Sequence, residues 1–188
     1  MLKIGLVYFS NTDVTGELMG AINDQLLGLG CSVIKHRISG SEIINGRFER
    51  PALFQELHSC HAIIFGSPTY MGGVSAQFKT FADATSDFWE SQTWAGKLAA
   101  GVTSGTGLNG DQGHTLSYMQ LLASQHGMLW VSLDAPFNDA EKGVNRLGCH
   151  MGVTAHSTTG KVCELDIKTA NYLANKIVGY AIRFSAET

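Results

Sequence analysis

A strong charge of either sign is absent from this chain: 13 Lys and Arg stand against 16 Asp and Glu over 188 residues, a net −3 with histidine neutral. No basic cluster is present to follow a phosphate backbone, so nucleic acid is not expected as a partner. Long apolar runs are missing as well. No stretch approaches the ~20 residues that cross a bilayer. The apolar segment at residues 2–9 is short and contains Lys3, so neither a membrane span nor a secretory leader is expected. The four cysteines, Cys31, Cys60, Cys149 and Cys163, form no C-x-x-C pair. Scattered thiols suit a reducing cytoplasm better than a disulfide frame. His150 and His156 lie near Cys149 at no standard zinc spacing, and no metal is expected. No Ser-His-Asp or Cys-His set recommends itself for nucleophilic catalysis.

What remains is 44% hydrophobic, enough for one well-buried domain over residues 1–188. Apolar runs without polar alternation predict strands at 3–8, 32–38, 61–65, 98–103 and 128–133. Helical spacing predicts helices at 15–29, 51–59, 75–89, 112–125 and 165–184. Residues 39–50 read as a loop and 134–161 as irregular. Five strands alternating with five helices imply an α/β chain: a parallel sheet, right-handed crossovers, and helices on both faces. In such a sheet a ligand binds beyond the carboxyl ends of the strands.

Three loops follow strand ends. In the first, an apolar strand stops at Ser10 and a helix begins near Thr15, with Asn11, Thr12, Asp13 and Val14 between. The first amides of a helix have no internal partners and sit at its positive end, so this turn can hold an anion. It contains neither the lysine of G-x-x-x-x-G-K-[ST] nor the glycines of G-x-G-x-x-G. The same residues also suit an ordinary strand-to-helix turn with an N-cap. In the second loop, Gly66-Ser67-Pro68-Thr69-Tyr70-Met71-Gly72-Gly73, Pro68 stiffens a turn from which Tyr70 and Met71 project. They either cover a flat heterocycle or pack on the protein. The third, Thr103-Ser104-Gly105-Thr106-Gly107-Leu108-Asn109-Gly110, offers free amides and little bulk. It serves the edge of a ring system or is a plain surface loop.

Taken in order, SNTDVTG, IIFGSPTYMGGVSAQFKTFADAT with Trp89 following, TSGTGLNGDQ and QHGM resemble the flavodoxin-like FMN reductases, and within them the WrbA-like NAD(P)H:quinone oxidoreductases. The second block is the most specific. The resemblance implies a flavodoxin-like three-layer sandwich with strand order 2-1-3-4-5. It implies bound FMN, with Ser10, Asn11, Thr12, Asp13, Val14 and Thr15 at the phosphate. Pro68, Thr69, Tyr70, Met71 and Gly72 would line the flavin, and Ser104, Gly105, Thr106, Gly107, Leu108 and Asn109 would hold the ring edge and ribityl chain. His126 resembles a family histidine that reaches the cofactor, from a neighbouring subunit in one arrangement. Tyr70, Trp89 and His126 would shape the substrate side. Three positions depart from the pattern. Asp13 stands where glycine is usual, and a carboxylate there repels a phosphate unless turned outward. Tyr70 replaces a frequent arginine and Gln125 a frequent histidine.

The expected activity is hydride transfer from a visiting NAD(P)H through FMN to a quinone, with azo and nitro compounds open as acceptors. The resemblance also implies a homodimer or homotetramer in the cytoplasm. Two other readings stay open: a flavodoxin-type electron carrier, and a flavin-free interaction protein on the same fold.

Overall fold

In the computed structural model, which describes residues 1–108 and 110–185, the chain forms a parallel sheet between two helical layers. Strand β1 (Lys3–Tyr8) leads to helix α1 (Val14–Gly28) and strand β2 (Ser32–Arg37). A hairpin of β3 (Ile43–Ile44) and β4 (Arg47–Phe48) precedes α2 (Pro51–His58). Then come β5 (Ala62–Tyr70), β6 (Gly73–Val74), α3 (Ala76–Ala84), β7 (Leu98–Gly105) and α4 (Gln112–Gln125). β8 (Leu129–Trp130), β9 (Val153–His156) and α5 (Glu164–Ser185) complete the order.

The sheet runs β2-β1-β5-β7, and both β8 and β9 pair with β7. This is the expected 2-1-3-4-5 order, and the expected fifth strand is divided. Leu129 and Trp130 pair with Leu98 and Ala99, whereas residues 153–156 pair with residues 102–105. With the antiparallel β6 on β5, the sheet has seven strands rather than five.

Alternation along the strands assigns the two cores. Ile4, Leu6, Ala62, Ile64, Leu98, Ala100 and Val102 face α1 and α5. Val7, Ile63, Phe65 and Ala99 face α2, α3 and α4. The central strands are apolar on both faces because both are covered.

Two expected boundaries move, each for a stated reason. The third expected strand does not stop at Phe65. It continues through Tyr70, with Gly66, Ser67 and Pro68 in register with Val102, Thr103 and Ser104. The expected loop at 39–50 contains a short 3₁₀ turn and the β3–β4 hairpin. Asn45 (φ 51) and Gly46 (φ 80) make the left-handed two-residue turn that Asn-Gly favours.

Candidate functional site

The three predicted loops meet at the carboxyl ends of β1, β5 and β7. Thr12, Val14, Pro68, Thr69, Tyr70, Ser104, Gly105 and Thr106 line one cavity of about 130 Å³, joined by Ser157. Ser157 was not anticipated. It follows β9, and its amide donates to the Gly105 carbonyl at 3.1 Å. The hydroxyl-rich run Ser157-Thr158-Thr159-Gly160 was the sequence signal for a fourth loop.

Hydroxyls tie the loops together beneath the rim. Thr15 Oγ1 and Ser104 Oγ lie 2.8 Å apart, joining the first loop to the third. Thr69 Oγ1 meets both Thr103 Oγ1 and Thr115 Oγ1 at 2.8 Å, joining the second loop to β7 and α4. His114 Nδ1 donates to the Gly72 carbonyl, a second tie between that loop and α4.

The first loop is open at the atoms that matter for an anion. Ser10 Oγ accepts the Gly16 amide at 3.0 Å. The amides of Thr12, Asp13, Val14 and Thr15 donate to no group among the described residues. Asp13, at φ 63, makes no side-chain cap on α1. Its carboxylate turns instead to Arg37 Nη1 at 2.9 Å. The repulsion raised by an aspartate in this turn is thereby met by a cation from the end of β2. In the third loop the amides of Thr106, Gly107 and Leu108 also lack partners among the described residues. Asn109 lies outside the described residues.

The second loop is a hairpin turn. Tyr70 pairs with Gly73, and Met71 (φ 49) and Gly72 (φ 77) make the two-residue connection. Met71 is fully exposed and Tyr70 is 43% exposed. An apolar side chain held out at a left-handed tip is strained and uncovered, which is typical of a ligand contact.

Trp89 and His126 do not join this group within one chain. α4 starts at the rim with Gln112 and ends at Gln125, about 20 Å away by its rise of ~1.5 Å per residue. There, Trp89, Tyr118, Gln125, His126 and Arg47 line a separate cavity of about 440 Å³. His126 is buried, and its Nε2 lies 2.7 Å from Thr85 Oγ1. Thr85 spends its one proton on the Ala82 carbonyl, so Nε2–H of His126 must donate. Nδ1 of His126 is buried with no partner among the described residues. Burial holds the ring below the ordinary histidine range.

Comparison with known proteins decides the family. Residues 37–140 match the model for NADPH-dependent FMN reductase. An NAD(P)H dehydrogenase (quinone) from Archaeoglobus fulgidus is 35% identical over 96% of this chain and 98% of its own length. The chain belongs to the NADPH-dependent FMN reductase family. Flavodoxin FldP of Pseudomonas aeruginosa is 44% identical to this reductase over 67% of the chain and 73% of the relative. A crystal structure of a WrbA-like flavodoxin from Agrobacterium tumefaciens superposes at TM-score 0.74, with 32% identity, covering 97% of this chain and 99% of that one. The reductase is thus a flavin-dependent oxidoreductase that takes FMN as cofactor and NAD(P)H as electron source. The unpartnered amides at residues 12–15, the slender third loop and the uncovered Tyr70 fit a molecule with a phosphate, a polyol and a flat ring. Among the described residues, no helix is long and apolar enough to cross a membrane.

Proposed function

We propose that the enzyme reduces quinones in two-electron steps, with FMN seated across the three loops. The observation that carries this reading is the row of four amides at residues 12–15 with no partner among the described residues, in a turn whose Thr12 and Val14 line the same cavity as Tyr70 and Thr106. Those amides would hold the phosphate, with Ser10 Oγ fixing the turn through Gly16. Gly105, Thr106, Gly107 and Leu108 would present backbone groups to the ring edge, with Asn109 beside them. Pro68 and Thr69 would back the ring, and Tyr70, Met71 and Gly72 would flank it. FMN held there would supply two-electron redox chemistry between a reduced nicotinamide and an acceptor. The titratable side chains at the rim are engaged in holding its loops, His114 on the Gly72 carbonyl, His156 on the Thr106 carbonyl and Arg37 on Asp13, so the chain's part is to bind, orient and shield.

Trp89 and His126 enter this reading only across a subunit boundary. They lie at the far end of α4, so a rim that uses them must borrow them from a second copy. A homodimer or homotetramer is therefore part of the proposal, as is a cytoplasmic location. The quinone of the Archaeoglobus relative's name supports the acceptor class.

The identity to flavodoxin FldP favours a second reading, a carrier that passes electrons to protein partners. Anaerobic addition of NAD(P)H to the purified yellow protein, followed by a quinone, separates the two. The enzyme should bleach and then recover its colour over many turnovers. A flavin that stays oxidised with NADH and with NADPH rejects the reductase reading and leaves the carrier.

A further inference from the structure

Arg37 is the cation that the first loop itself lacks. It stands at the end of β2, the strand beside β1. Its Nη2 donates to the Ser10 carbonyl at 2.7 Å. Its Nη1 lies 2.9 Å from Asp13 Oδ1. One guanidinium therefore grips the loop at its first residue and at the residue where α1 begins.

Fold stability does not explain the arrangement. The two side chains are 46% and 62% exposed, and such surface pairs contribute little to folding. An aspartate at a helix start ordinarily caps the next amides with its own oxygens. Asp13 does not, and it occupies a left-handed backbone at φ 63. The amides a cap would have used are left open, and the carboxylate is held beside a positive charge. A planar guanidinium with several donors can make both contacts at once, which an ammonium does less well.

We propose that Arg37 is a positioning residue for the flavin phosphate. It braces the loop through Ser10 and neutralises the Asp13 carboxylate, so that a doubly charged phosphate meets open amides without net repulsion. Asp13 in turn moderates the attraction of Arg37, and the pair together sets phosphate affinity. The inference rests on the reading that residues 10–16 hold the FMN phosphate.

The test is titration of the flavin-stripped full chain with FMN and with riboflavin, which share the ring and differ in the phosphate. The unaltered protein should prefer FMN strongly; equal affinities would reject the loop assignment itself and the inference with it. Arg37→Met should weaken FMN by about tenfold, the scale of one uncompensated charge a few ångströms away in a watery site, and leave riboflavin within about twofold. Asp13→Asn, which keeps a residue tolerant of left-handed backbone, should tighten FMN. In the Asp13→Asn background, Arg37→Met should cost FMN only about threefold, because no carboxylate is then released to turn towards the phosphate. Arg37→Lys should restore part of the lost affinity. Equal weakening of FMN and riboflavin by Arg37→Met would reduce Arg37 to a structural residue and overturn the proposal. No change in FMN affinity, or an undiminished loss in the Asp13→Asn background, would also overturn it.

Discussion

The aromatic layer under α2, α3 and the end of α4 and the rim at the strand ends handle apolar surface in opposite ways. In the layer, rings cover one another. Phe54 stacks on Phe81 at 5.7 Å, Phe88 tilts against Trp94 at 4.8 Å, and Trp94 meets His126 at 4.9 Å. Trp94 is fully buried, and its indole N–H reaches His58 Nδ1 at 3.0 Å. At the rim, Tyr70 and Met71 stand uncovered and Leu108 is 70% exposed. Polar satisfaction follows the same division. In the layer the ring N–H groups of Trp94 and His126 are both spent, whereas the rim keeps amides without partners among the described residues at two loops. One region covers its rings with its own side chains and carries stability. The other is left incomplete, and its missing contacts have the outline of a ligand.

If the division is real, damage to one region should leave the other's property untouched. The largest effect belongs to the layer. Phe81→Ala removes a ring packed on Phe48, Phe54, Phe65 and Phe78 and should cost about 3–5 kcal/mol in denaturant unfolding. FMN affinity of the folded fraction should stay unchanged. A parallel loss of affinity would mean that the regions are coupled.

Acid should act on the layer next. Burial lowers His126, and burial followed by the nearby Lys97 ammonium lowers His58. Trp94 donates to Nδ1 of His58, which requires that nitrogen to be bare. Both rings therefore resist protonation when folded, whereas the unfolded chain takes up protons near the ordinary value of 6.5. The unfolded state then binds more protons, and stability must fall as pH drops below that value towards the lowered folded ones. His126→Gln should flatten this slope in urea melts at stepped pH. A slope as steep as before would remove His126 from the account.

At the rim the sign should reverse. Met71→Asn places the favoured Asn-Gly pair in the two-residue turn, and stability should rise by about 0.5–1 kcal/mol as the strain of Met71 at φ 49 is relieved. FMN affinity should drop about threefold as one apolar flank is lost. An affinity that holds steady would place the flavin elsewhere. The smallest stability effect is expected from Trp89→Ala: Trp89 is 52% exposed, and unfolding should shift by no more than about 0.5 kcal/mol. Its reading is kinetic. Quinone KM should rise in the assembled enzyme, and an unaltered KM would leave Trp89 outside the substrate side.

Much of this was legible beforehand because burial on both faces leaves a plain signature. Residues 3–8 were readable as a strand from an unbroken apolar run, and 112–125 as a helix from its spacing. Elements set by pairing partners rather than by their own composition were less visible. Gly66-Ser67-Pro68 looks like a turn, yet β7 holds it extended. The apolar run at 128–133 concealed a strand that pairs for two residues and resumes at Val153. Asn45-Gly46 was a hairpin signal available to be read. Arg37 had no local signal, because its meaning comes from a carbonyl 27 residues earlier in the chain. Nor could spacing show that α4 carries His126 away from the rim, since a periodic pattern marks which side faces inward and not which end a residue reaches.

The divided outer strand has a consequence of its own. The chain departs after Trp130 and rejoins at Val153, and Arg146 anchors the detour to α5 through a two-pronged bond to Asp166, at 2.8 and 2.7 Å. This border of the sheet, unlike the one formed by β2, therefore offers no long straight row of open backbone to which a stray strand could attach. It also forms a seam at which residues can be gained or lost in descent while β7 keeps its register and the turn at residues 10–15, three strands inward, is undisturbed.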